Sequence, residues 1–180
     1  MRKALFFLGI LNDSDIEWMV SAGSRQEVAA SQVLIREGEP VDSVFLVLGG
    51  QLSVLVSALG KREVVRLHPD EIVGEMSFVD RRPPSATVQA QERSVVLAIP
   101  RQLLHARLTE DAPFAARFYR ALAVFLSDRL RNTVGQLGYG KDTRLDADAM
   151  YSDEIDSDML ETVSLAGARF DWLQRRLRAL

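Results

Sequence analysis

The residues best suited to chemistry lie in one run, Gly74-Glu75-Met76-Ser77-Phe78-Val79-Asp80-Arg81-Arg82-Pro83-Pro84-Ser85-Ala86-Thr87-Val88. A short apolar turn of helix opening at Gly74, followed by a proline-bounded return, makes a cradle for an anion. N–H groups at a helix start point outward with a partial positive charge. Gly74 permits close backbone approach. Glu75 could accept hydrogen bonds from sugar hydroxyls, and Ser85 and Thr87 offer hydroxyl and backbone donors. Arg81 and Arg82 are possible anion contacts if they swing in from the loop tip. No Ser–His–Asp order, paired acidic motif, metal-binding His pair or P-loop accompanies this run. His68 and His105 read as surface or packing residues. The expectation is a non-enzyme with no metal site and no required cofactor.

Composition narrows the setting. With 22 basic and 25 acidic residues the formal net charge is -3, which gives no whole-chain electrostatic case for nucleic acid or an anionic membrane. The absence of cysteine excludes disulfide frameworks, Cys-zinc sites, iron–sulfur clusters and thiol catalysis. No apolar run reaches the ~18 residues of a membrane span. The stretch from Ala4 to Leu11 is short and is followed by Asn12-Asp13-Ser14-Asp15 instead of a cleavage site, so it reads as a docked helix and not as a signal peptide. A cytoplasmic setting is expected. Asn12 with Asp15, or Ser14 with Glu17, can cap the next helix, which carries Ile16, Met19 and Val20.

Short apolar runs must position the cradle. Strands are expected over residues 25–29, 32–36, 44–48, 52–56, 63–67, 86–91 and 95–99, broken at Glu37-Gly38-Glu39-Pro40, Gly49-Gly50, Leu59-Gly60-Lys61, Pro69-Asp70 and Pro83-Pro84. Seven or eight short strands at this spacing suggest an antiparallel sandwich, jelly roll or barrel. Helical composition follows over 101–108 and 111–137, where Leu122, Leu126, Leu130, Thr133 and Leu137 are read as one stripe available to a partner helix. Residues 141–161 form an acidic linker lacking the acid spacing, central Gly and closing Glu of an EF-hand. In the last helix, 162–180, Val163, Ala166, Phe170, Leu173, Leu177 and Leu180 keep three-four spacing. That seam either braces its own domain or docks a partner protein through Phe170, Leu173 and Leu177.

Taken together, the entry segment 7–19, the turn Arg36-Glu37-Gly38-Glu39-Pro40, the run Val44-Phe45-Leu46-Val47-Leu48-Gly49-Gly50, the Gly74–Val88 segment and the helix bearing Arg129-Leu130 resemble the cyclic-nucleotide-binding domain family, in particular the sensor domain of Crp/Fnr-type regulators. The resemblance covers roughly residues 5–140. It implies an α+β, mainly β, architecture: an antiparallel β-roll of about eight strands with N-terminal helices, a cassette helix and a long C-helix that commonly dimerises, here through Leu122, Leu126 and Leu130. It also implies ligand contacts at Gly74, Glu75, Met76, Ser85 and Ala86, with Thr133 near the purine base. The departure is Pro84, which takes the place of the arginine that holds the cyclic phosphate. Proline has neither charge nor N–H. The loss costs on the order of 1.5–3 kcal/mol or more, so tight binding of cyclic AMP or cyclic GMP is not expected. The alternative is a sensor that takes a cyclic nucleotide weakly, or another small anion. The forty or so residues after the long helix are too few for a winged helix-turn-helix, so nucleic-acid binding is not expected. The anticipated role is a stand-alone regulatory or interaction module.

Overall fold

A computed structural model describes residues 5–60, 62–138 and 157–178. Two short helices, α1 (Leu5–Ile10) and α2 (Asp13–Ala22), lead into eight strands: β1 (Ser24–Val28), β2 (Val33–Ile35), β3 (Ser43–Gly49), β4 (Leu52–Val56), β5 (Arg62–Leu67), β6 (Ile72–Val73), β7 (Thr87–Ala90) and β8 (Ser94–Pro100). Helix α3 (Glu75–Asp80) interrupts the strands, and α4 (Arg101–Glu110), α5 (Ala112–Gly138) and α6 (Ser157–Arg178) follow them. The strands form two antiparallel four-stranded sheets, ordered β1-β8-β3-β6 and β2-β7-β4-β5. This is the expected β-roll, and only β6 was not anticipated.

The roll is built around strands buried on both faces. Along β3, Val44, Leu46 and Leu48 join a core shared with the helices, while Phe45 and Val47 join the core between the sheets. β8 divides in the same way, Leu97 and Ile99 against Val96 and Ala98. Side chains alternate across a strand, so a strand between two apolar layers reads as an unbroken apolar run.

The helices meet the first layer in an aromatic cluster. Phe7 of α1 lies 5.6 Å edge-on from Phe118 of α5, and Phe118 lies 6.2 Å from Phe78 of α3. The capping box at Asn12 and Asp15 forms as expected. Asp15 is also fully buried and receives both Nε (2.6 Å) and Nη2 (2.8 Å) of Arg117, which ties α2 to α5.

One expectation about the apolar seams is corrected, and one open alternative is decided. On α5, Leu122 is buried in its own chain's core beside Phe118 and Phe125, Leu126 is half-buried, and Leu130 is 64% exposed. Residues four apart advance about 40° beyond a full turn, so Leu122, Leu126 and Leu130 drift off a common face. Side-chain surroundings at Leu137 lie outside the described residues. On α6, Ala166, Phe170, Leu173 and Leu177 are buried against α1 and α2 in the helical core. The seam braces its own chain and is not a free docking surface. α6 starts at Ser157, inside the segment 141–161 read as linker; the rest of that linker, through 156, and Leu180 lie outside the described residues.

Candidate functional site

The cassette helix α3 begins where the sequence places it. Gly74 precedes it at φ +85°, and a Cβ there would stand 3.1 Å from the Ser43 carbonyl oxygen. Both the left-handed backbone and the crowding against β3 call for glycine. Arg101, at the start of α4, donates to the carbonyls of Val41 (2.8 Å) and Ser77 (2.5 Å) and lies over the Phe78 ring. It pins α3 to the strand entry.

Glu75 is 3% exposed, and its Oε1 accepts a 2.6 Å hydrogen bond from Nη1 of Arg129 on α5. Burial pushes the Glu75 carboxyl above its usual range, against the pull of Arg129 and of the backbone N–H groups of Glu75 and Met76. Glu71, just before β6, is likewise raised by burial, with Arg129 and His68 opposing and Asp128 adding to it. Arg129, itself stacked over Phe125, thus sets a cation among the carboxylates at the start of the cassette helix. Its pairing with Glu75 is the feature that sequence reading missed: the two residues are 54 positions apart, and no local spacing signals them.

The loop that returns from the cassette helix is arranged differently. The Pro84 carbonyl accepts from Gly38 N–H (2.9 Å), and Thr87 Oγ1 accepts from Glu37 N–H (3.1 Å), so the return loop is fastened to the β2–β3 turn. Ser85 is exposed and Ala86 half-buried. The two candidate cations do not converge on the cradle. Arg81, at φ +59°, turns its guanidinium to His105 on α4 (3.4 Å), and Arg82 is exposed, its N–H bonded to Asp80. Thr133 donates its hydroxyl to the Arg129 carbonyl of its own helix (2.9 Å), which engages the donor that a purine base would use. Met76 and Val79 stand about half exposed on the outer side of α3 (53% and 50%). Among the described residues no group of His, Asp or Glu is arranged to hold a metal.

The fold is thus a two-sheet roll interrupted by a glycine-started cassette helix, to which a long helix delivers a charged side chain. Residues 25–111 match the family model described as the cyclic nucleotide-binding domain. That span carries a domain of the cyclic nucleotide-binding type. A cyclic nucleotide-binding domain from Methylobacillus flagellatus superimposes with a TM-score of 0.67 at 21% identity, covering 74% of this chain and 78% of that one. The N-terminal domain of a transcriptional regulator from Streptomyces coelicolor A3(2) gives 0.59 at 28% identity, covering 73% and 91%. Among curated relatives, the lysophospholipase nte1 of Aspergillus fumigatus is 29% identical over 128 residues, 70% of this chain but only 8% of that protein's length. The family is regulatory, and in such an enzyme the shared segment is a small part of the whole.

Proposed function

We propose that this chain is a regulatory or interaction module of the cyclic nucleotide-binding type that works without binding cyclic AMP or cyclic GMP in the usual way. The observation that carries this reading is the pairing of Glu75 with a cation of its own chain. Arg129 neutralises Glu75 at 2.6 Å on the sugar side, and Pro84 stands where the anion-holding charge is expected. A nucleotide entering this cassette would have to displace a buried ion pair and gain no cation at the phosphate position. Calorimetric titration with cyclic AMP and cyclic GMP tests it. No saturable binding below roughly 100 μM, about −5.5 kcal/mol, is expected; a sub-micromolar dissociation constant would overturn it.

The alternative, a sensor of a cyclic nucleotide or another small anion, draws support from the intact Gly74–Glu75 geometry. Pro84→Arg separates the two. A large gain in nucleotide affinity would mean that only the phosphate contact is missing. No gain supports a pocket closed by Arg129. We further propose a homodimer through the outer face of α5, where Tyr119 (47%) and Leu130 (64%) are exposed apolar residues.

A further inference from the structure

Helix α6 lies in a seat made by α1, α2 and the end of β3, and that seat has a definite chemistry. A Cβ at Gly9 would stand 2.6 Å from Thr162 Cγ2 and 2.7 Å from the Thr162 carbonyl oxygen, with the Ala166 methyl next. The two helices therefore touch nearly backbone to backbone. Beyond this point Phe170, Leu173 and Leu177 fill the apolar floor. Arg169 donates from Nη1 to the carbonyls of Leu8 (3.1 Å), Gly9 (3.2 Å) and Leu11 (2.5 Å), and from Nε to Asp13 (2.7 Å). The carbonyls at the end of a helix need a donor from outside it, and a cation serves best. Gln174 caps the far end by donating to the Leu48 carbonyl (2.5 Å).

Among the described residues the seat is not filled. On its α2 side an open cleft of about 620 Å³ remains, lined by Glu17, Val20, Ser21, Gly23, Trp172 and Arg176, and it leaves Trp172 38% exposed. A helix with more apolar surface on that flank would bury more than α6 does.

We propose that this seat is a helix-docking surface, held by α6 in cis and open to competition from an amphipathic helix of a partner protein. The partner's helix is specified by the seat. It carries a small residue facing Gly9, an arginine for Asp13 and the α1 carbonyls, apolar residues in the spacing of Phe170, Leu173 and Leu177, and a bulky apolar side chain over the α2 cleft. Because α6 belongs to the same chain, its effective concentration at the seat is high, so such a partner binds only when it outcompetes α6. The surface is built from residues other than those of the cassette.

The test uses the full chain. In the double variant Phe170→Ala with Leu173→Ala the cis occupant loses its anchors, and a fluorescein-labelled synthetic peptide of residues 157–178 is titrated against this variant and the wild type by anisotropy. Saturable binding at least tenfold tighter to the variant is expected, with a further loss of at least tenfold when the peptide carries Arg169→Ala. A folded variant that binds the peptide no better than wild type, or is indifferent to Arg169, overturns the proposal, because α6 would then be a fixed part of the core. Should the variant fail to fold, hydrogen exchange of the wild type decides. Amides of α6 exchanging at least tenfold faster than those of β3 and β8 support a helix that leaves its seat, whereas equal protection overturns it.

Discussion

Arg129 and Asp15 show how differently two buried carboxylate pairs respond to pH. Glu75 carries a raised pKa because burial outweighs Arg129. The folded state therefore holds its proton to higher pH than the unfolded chain, whose value is near 4.5, and stability falls as pH rises through the folded value. Replacing Arg129 by Met removes the charge that compensates Glu75, at a cost of roughly 3 kcal/mol when that carboxyl is ionised. Urea melts at pH 5 and pH 8 should show a larger deficit for this variant at pH 8; equal deficits would mean that the pair does not govern Glu75. Asp15 behaves in the opposite sense. Burial raises its pKa, but the hydrogen bonds from Arg117 and Asn12 outweigh it, leaving the value below 3.8. Its stabilisation is present above 3.8 and lost as pH falls through the folded value. Arg117→Leu should destabilise by about 3 kcal/mol at neutral pH and flatten the acid limb of the stability curve, which chemical denaturation from pH 6 to pH 3 would reveal.

At the scale of the element, α5 serves two masters. Phe114, Phe118, Ala121, Leu122 and Phe125 bury one face in the core. Tyr119, Leu126 and Leu130, seven and eleven residues along, return to a common second face, of which Tyr119 and Leu130 are exposed. The proposed dimer belongs to this second face. Leu130→Glu should give a monomer by sedimentation while changing the monomer's own stability by less than about 0.5 kcal/mol. Leu122→Glu puts a charge among buried aromatics and should cost several kcal/mol, about 3 or more, regardless of oligomeric state. A wild-type chain that sediments as a monomer at tens of micromolar would refute the dimer.

Across the whole molecule, the cassette helix, α5 and α1 are joined by the Phe78–Phe118–Phe7 contacts, and α1 is in turn the floor beneath α6. Packed rings of this kind shift together because a close-packed interior has no slack to absorb a displacement locally. Phe118→Leu should cost about 1–2 kcal/mol. It should speed hydrogen exchange in both α3 and α1 while leaving β4 and β5, which lie in the other sheet, at their wild-type rates. Acceleration in α5 alone would show that the rings touch without coupling the elements.

Local physics was legible in the chain because it depends on neighbours in sequence. Alternation and turn residues located seven of the eight strands. Asn12 and Asp15 formed the cap that their spacing allows, and Gly74 opened the cassette helix in the left-handed conformation that a glycine supplies. β6 escaped because two residues, Ile72 and Val73, are too few to show a period. What the tertiary structure decided is which surface each pattern meets. An apolar stripe states that a face will be buried, not against what. Leu122 went into the core while Leu130 stayed outside, and Phe170, Leu173 and Leu177 turned back onto α1 and α2. Arg129 found Glu75, and Arg117 found Asp15, across 54 and 102 positions. Such pairings arise when packed elements bring distant charges together in a place with too little water to screen them, and no interval along the sequence encodes that proximity.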